Sequence, residues 1–170
     1  LDQWLEHLDA LIARHEPTQS LEQLLKLKRD RVLAIIHRDQ PVYAGLTELV
    51  EKLARVCRLG LASGSDRPVV DAVLSLRDLR RHFSATVTAS EIQRGKPDPA
   101  IFLRTAELLD VAPAECWVIE DSKPGVAAAL AAGMRVIAIT NTHPADELRR
   151  ATVVVKGYTE IERLLLGTKR

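Results

Sequence analysis

Three short stretches of this 170-residue chain combine residue types that could handle a phosphoryl group. Ser63-Gly64-Ser65-Asp66 follows an apolar run and precedes a helical pattern. A hydroxyl beside glycine-relaxed backbone amides at a helix start makes a seat for an anion. Lys96 stands between Gly95 and Pro97 in a loop that Pro97 and Pro99 stiffen. A placed ammonium there offsets the charge of a phosphoryl group and of a carboxylate nucleophile. Glu120 and Asp121 end the apolar run CWVIE. Adjacent carboxylates at the end of a buried strand are costly without a cation. Oxygen ligands of this kind suit Mg2+, a hard ion usually shared with phosphate oxygens. Singly, each stretch has an ordinary explanation. Ser and Asp before a helix act as caps, Lys96 as a surface lysine in a turn, and the acidic pair as a solvated turn.

These stretches need elements to bring them together. From Pro41 onward, helical patterns alternate with short apolar runs. GLTELVEKLARV reads as helix, RLGLAS as strand, DRPVVDAVLSLRDL as helix and ATVTAS as strand. DPAIFLRTAELLD, KPGVAAALAAG, PADELRRA and YTEIERLLLG read as further helices, and CWVIE, RVIAIT and TVVVK as further strands. Such alternation predicts an α/β fold, a three-layer Rossmann-like parallel sheet with helices on both faces. Ligands of such sheets bind beyond the carboxyl ends of the strands. Ser63, Lys96 and Glu120-Asp121 each follow a strand, so all three converge on one edge.

The first forty residues differ. WLEHLDALIARH and LEQLLKLKRDRVLAIIHR carry apolar residues at helical spacing, with a break at Glu16-Pro17-Thr18 and an end at Asp39-Gln40-Pro41. Residues 1–40 are therefore expected to form a helical unit separate from an α/β core over 41–170. Aromatics make up 4% of the chain, so the core must be aliphatic. A net charge of +1 provides no electrostatic case for nucleic acid or an anionic membrane. Cys57 and Cys116 lack zinc-type spacing and read as buried reduced thiols. No apolar run approaches the length of a membrane span and no signal peptide opens the chain. The expected compartment is cytoplasmic.

Taken together, GLASGS, GKPDPAIF and VIEDSKPGVAAALAAGMRVIAIT resemble motifs II, III and IV of the haloacid dehalogenase (HAD) superfamily. The subgroup resembled is that of phosphoglucomutase-like and phosphoglycolate-phosphatase-like enzymes. The match runs from about Pro41 to Gly167, and residues 1–40 resemble the second half of that subgroup's helical cap. The resemblance implies a Mg2+-dependent phosphatase or phosphomutase acting on a small phosphorylated metabolite through an aspartyl-phosphate. By it, Ser63 with Gly64 and Ser65 would bind the phosphoryl group, and Lys96 would balance charge. Asp121 would hold Mg2+, with Glu120 as second ligand or outer partner. Lys28 falls near where some caps place a substrate-phosphate lysine, although a solvated helix face is its more ordinary explanation.

The family's first motif, D-x-D-x-[TV], supplies the nucleophile, and this sequence contains none. The expectation is an N-terminally truncated form that lacks the first strand. The alternative is a catalytically inactive HAD-fold binding or regulatory protein. In the family, that first strand separates the strand ending at Ser63 from the one ending at Glu120. Without it two inner edges lack partners. Another chain, a second fragment, self-association through these edges or a collapsed sheet would have to fill the gap.

Overall fold

The computed structural model describes residues 20–167. The chain divides between Asp39 and Gln40 into two compact units. In the first, helix α1 spans Leu21–Asp39. Ser20 starts it with a reciprocal cap. Its hydroxyl accepts from Gln23 N at 3.3 Å, and its own amide donates to Gln23 Oε1 at 2.8 Å. The helix expected over WLEHLDALIARH lies outside the described residues.

The second unit alternates as its sequence pattern dictates. Its order is α2 (Leu46–Ala54), β1 (Gly60–Ser63), α3 (Arg67–Ser75), β2 (Ala85–Thr88), α4 (Ala100–Leu109), β3 (Trp117–Glu120), α5 (Lys123–Ala131), β4 (Arg135–Ile139), β5 (Val153–Val155) and α6 (Tyr158–Leu166). Short 3-10 turns follow α3 and β2 and precede β3. Pro68 and Pro124 sit in the first turns of α3 and α5, where no intrahelical N–H is lost. Gly133, with φ of 75°, ends α5. All strand pairings are parallel. Ser63 stands opposite Thr88, Glu120 opposite Ala138, and Ile139 opposite Val155. The carboxyl ends in each ladder therefore lie at one edge.

The strands form two ladders, β1–β2 and β3–β4–β5. β1 and β3 do not pair. The ladders are nevertheless buried in one core. Val87 of β2 joins Val118, Val136 and Ala138 of the other ladder beneath Ile101, Phe102 and Ala106 of α4 and Val126, Ala128 and Ala129 of α5. On the opposite face Leu49 and Leu53 of α2 and Ile161 of α6 cover Ile137, Ile139 and Val155. Val50, Val70 and Leu74 cover the β1 side, with Leu61 packed against them. This is the three-layer α/β arrangement. Gly60 lets α4 approach closely, since a Cβ there would meet the side chains of Thr105 and Leu109.

The split leaves a mark on packing. Ile119, in the middle of β3, is 39% exposed, while its register partner Ile137 is fully buried. β4 has a strand on each side and β3 has one.

Three expectations need correction. The helix predicted through Leu79 ends at Ser75, because Arg77 and Asp78 adopt left-handed conformations (φ 49° and 55°) inside a 3-10 segment over Leu76–His82. Pro144–Arg150 forms turns rather than a short helix. Leu148, fully buried in the α4–α5 core, anchors that segment, so a single apolar contact suffices where a helix was expected. Cys57, expected to be buried, is exposed on the turn after α2, and Cys116 is half-buried.

Native-state hydrogen exchange should rank the strands by their neighbours. Amides of Val136–Ile139 in β4 should exchange most slowly, and those of β1 and β3 measurably faster, because one edge of each has no strand partner among the described residues. Protection in β1 equal to that in β4 would contradict the split sheet.

Candidate active site

Lys96 is the residue on which the site converges. Its loop follows the 3-10 turn Ala89–Glu91 after β2, and the Lys96–Pro97 bond is cis. Its ammonium donates to the Ala62 carbonyl at 3.3 Å and forms an ion pair with Glu120 Oε1. It also lies 4.8 Å from the centre of the Phe102 ring, a cation–π contact. One side chain thus joins the end of β1 to the end of β3, although the strands themselves do not pair.

Glu120 is spent on structure. It is 8% exposed. Oε1 takes Lys96, and Oε2 accepts from Asp121 N at 3.1 Å, Ser122 N at 3.3 Å and Ser122 Oγ at 3.0 Å. These bonds supply the cation and donors that a buried carboxylate requires. Ser122 in turn accepts from Gly125 N at 3.1 Å and caps α5. Gly125 has no alternative there, because a Cβ at its position would overlap the Glu120 carboxylate.

Asp121 is held differently. Its main-chain carbonyl accepts from Thr142 Oγ1 at 2.7 Å, and His143 Nδ1 lies 3.0 Å from the same oxygen. In the tautomer with Nδ1 protonated, that nitrogen is a second donor. The Asp121 carboxylate makes no hydrogen bond or ion pair among the described residues. It is therefore available to a cation, which suits an ion that keeps several waters. Among the described residues no group of three or more His, Cys, Asp or Glu side chains gathers as a metal site.

Ser63 ends β1, and its hydroxyl accepts from Ser65 N at 3.1 Å. Gly64 and Ser65 are exposed, and the space beside Gly64 is open. Lys28 lies on α1 in the other unit and is exposed. Sequence reasoning missed Ser122 and Gly125 as supports of Glu120, and Thr142 and His143 as supports of the Asp121 loop. The Ser-x-x-Gly spacing before α5 was a legible capping signal. Nothing in TNTH announced its contact with a residue 21 positions earlier.

The loop that carries Lys96 has its own anchor. Glu91 accepts from the Thr88 hydroxyl at 2.7 Å and from Arg67, which also donates to the Thr86 carbonyl at 3.0 Å. The Thr88 hydroxyl, with help from Arg67, holds the Glu91 carboxyl below the usual glutamate range. A depressed carboxylate pKa contributes stability above the unfolded value, which is lost as pH falls through the folded one. Glu91→Gln should therefore flatten the acid limb of stability below about pH 4.5, measured by denaturant unfolding across pH. An unchanged acid limb would remove Glu91 from that role.

Breaking the buried pair should cost more. Lys96→Met or Glu120→Gln should lower stability by about 3 kcal/mol, because each leaves a poorly solvated partner. Gly125→Ala should cost about 1–3 kcal/mol by overpacking. Chemical denaturation of the three variants measures all of these, and changes below about 0.5 kcal/mol, the range of ordinary surface substitutions, would contradict the geometry.

Comparison with known proteins places this arrangement. A family profile described as haloacid dehalogenase-like hydrolase matches residues 2–133. A phosphorylated carbohydrates phosphatase of Thermotoga maritima is 35% identical over 137 residues, covering 78% of this chain and 62% of that protein. The β-phosphoglucomutase of Bacillus subtilis is 36% identical over 110 residues, covering 64% of this chain and 46% of that protein. A Thermotoga maritima structure solved as a candidate β-phosphoglucomutase superposes with a TM-score of 0.76 at 30% identity, over 95% of this chain and 76% of that one. The chain thus spans about 46–62% of the length of these two curated relatives. The chain belongs to the haloacid dehalogenase-like hydrolases.

Proposed function

We propose that this chain carries the phosphoryl-binding and metal-binding part of a phosphatase or phosphomutase site for small phosphorylated metabolites. Phosphatase is the default of the two, because mutase action needs a cap that excludes water and rebinds an intermediate. One observation carries the reading. Lys96 neutralises Glu120 and joins the ends of β1 and β3, while the Asp121 carboxylate beside them is left without a protein partner. A fully paired acidic turn would have been a structural cap and nothing more.

In this reading each residue has a distinct task. Ser63 and the amides after it hydrogen-bond the phosphoryl oxygens. Lys96 supplies positive charge between the incoming phosphoryl group and the nucleophile. Asp121 would hold Mg2+, and Glu120, whose oxygens are already engaged, is the outer partner rather than a ligand. Bound there, Mg2+ would supply charge stabilisation to phosphate oxygens. None of these four residues attacks phosphorus. The nucleophile is an aspartate of D-x-D-x-[TV] on a strand that stands between β1 and β3, where the two ladders leave their facing edges unpaired. The exposed face of Ile119 supports a neighbour on that side. Residues 1–40 are part of the cap, and Lys28 there is a candidate contact for the substrate's phosphate. The relatives named for phosphorylated carbohydrates and for β-phosphoglucomutase support a sugar-phosphate class of substrate.

The test compares two proteins, residues 1–170 and the same chain joined at its N-terminus to the corresponding segment of a relative. The first should release no phosphate from sugar phosphates in a metal-dependent way. Removal of a nucleophile leaves about a 10³–10⁴-fold residual acceleration, which is undetectable against so slow an uncatalysed reaction. The joined protein should turn over with Mg2+. Asp121→Asn in it should weaken Mg2+ binding, read by calorimetry, and lower kcat, each by at least about tenfold. Robust metal-dependent turnover by residues 1–170 would reveal another nucleophile. A folded joined protein without activity would favour a binding or regulatory HAD scaffold.

A further inference from the structure

The amino-terminal edge of the β1–β2 ladder carries a second concentration of charge, at the opposite end of these strands from Ser63. Glu51, Ala54, Arg55, Cys57 and Arg58, from α2 and the turn after it, face Arg81, His82 and Ser84, which lead into β2. They line an open hollow of about 470 Å³. Three guanidinium groups and an imidazole share this hollow with one carboxylate.

The pairing of these cations is incomplete. Some arginines elsewhere meet carboxylates, as Arg38 does Asp39, Arg67 Glu91 and Arg80 Asp71, while others, such as Arg149, Arg150 and Arg163, make no ion pair among the described residues; what sets the hollow apart is that its arginines share one lining. Arg55 has no side-chain partner among the described residues. Arg58 donates to a main-chain carbonyl, that of Asp110, at 3.3 Å. Arg81 takes Asp78 at 2.9 Å, lies 3.8 Å from Glu51, and donates from Nε to His82 Nε2 at 3.2 Å. Partial desolvation by its neighbours pushes the Cys57 thiol up although the residue is exposed, and its Sγ donates to the Leu53 carbonyl, so it adds no negative charge near neutral pH. The hollow keeps an excess of positive charge that nothing in its lining neutralises.

The backbone beside it is strained. Arg77 and Asp78 are consecutive non-glycine residues in the left-handed region, a conformation that persists only where surroundings impose it. The turn they make delivers Arg81 and His82 to the end of α2, and Asp78 itself fixes one Arg81 nitrogen.

We propose that this hollow binds a small organic anion with two phosphate groups, at a site separate from the phosphoryl-transfer edge. Planar guanidinium forks match phosphate oxygens in pairs. Several such forks around a hollow larger than one phosphate favour a ligand that presents two anionic groups. The proposal does not depend on the catalytic reading.

The test uses the full 170-residue chain, inorganic pyrophosphate as probe, and titration calorimetry. The expected result is saturable one-site binding with Kd below about 1 mM, tighter than for inorganic phosphate. Arg55→Ser should raise Kd about tenfold, the effect of losing one charge-assisted contact. It should leave the thermal midpoint unchanged, because the Arg55 side chain makes no hydrogen bond or ion pair among the described residues and its main-chain cap of α2 is kept. Arg58→Ser should weaken binding similarly, and Ser63→Ala, which alters the carboxyl edge without unpairing a buried charge, should leave the pyrophosphate affinity intact. Absence of saturable binding would overturn the proposal. So would equal affinity for phosphate and pyrophosphate, insensitivity to Arg55→Ser, or weakened binding on Ser63→Ala, which would assign the anion to the other edge.

Discussion

The ion pair between Lys96 and Glu120 is the constraint on which the carboxyl edge depends. A carboxylate 8% exposed at the end of an apolar strand is untenable without compensation. The chain compensates it fully, with an ammonium on one oxygen and three N–H or O–H donors on the other. The consequences spread outward. Gly125 must lack a side chain, Ser122 must be a hydroxyl residue, and Phe102 must present its ring to the ammonium. Removing either charge would be expensive, whereas retaining both is close to neutral in stability. The pair is therefore better understood as fixing positions than as adding stability. What it fixes is the distance between the ends of two strands that share no ladder.

Two ladders without a common hydrogen-bond edge remain one domain because helices bridge them. Val87 and Val118 belong to different ladders and are buried in the same core beneath α4 and α5. The small residues of α5, Ala128 and Ala129, are fully buried. They let that helix lie close to the strands, so packing rather than backbone bonding carries the join. Polar backbone groups along the facing edges of β1 and β3 gain nothing from this. Apolar side chains that a strand would have covered also stay half-exposed, as Ile119 does.

Much of this was legible in the sequence, for physical reasons. Period-two and period-3.6 patterns identify elements because each must bury one face. That logic located Ser63, Lys96, Glu120 and Asp121 at strand ends. It could not pair them, because which cation meets which carboxylate depends on side chains that come together only in three dimensions. Lys96 read as a partner for phosphate, yet in the folded chain it serves Glu120 first. Periodicity likewise continued α3 through Leu79. The left-handed pair Arg77-Asp78 breaks it for tertiary reasons that no local propensity reveals. Pro144–Arg150 had helical composition, yet a single buried leucine and a following strand leave it as turns. The Thr142–His143 contacts with the Asp121 carbonyl were invisible, since neither residue stands in a pattern.

The carboxyl and amino ends of the strands manage charge in opposite ways, and both proposed ligand sites rest on that contrast. At the carboxyl edge the most buried charges cancel within the protein, and one carboxylate, Asp121, is held by its main chain while its side chain is left over. At the amino edge Arg55 and Arg58 are left over, since neither makes an ion pair among the described residues and the Glu51 carboxylate of the same hollow lies 3.8 Å from Arg81. Exposed charges in water cost little to leave unpaired, so an isolated arginine would mean nothing. Several like charges converging on one hollow are different, because each raises the electrostatic cost of the others. A fold that tolerates such a group has either a strained segment that imposes it or a counter-charge that joins it. Here Arg77 and Asp78 supply the first, and the proposed anion would supply the second. The same reasoning applies to Asp121, with the sign reversed. A residual negative charge beside a neutralised pair selects a cation, and a residual positive cluster selects an anion.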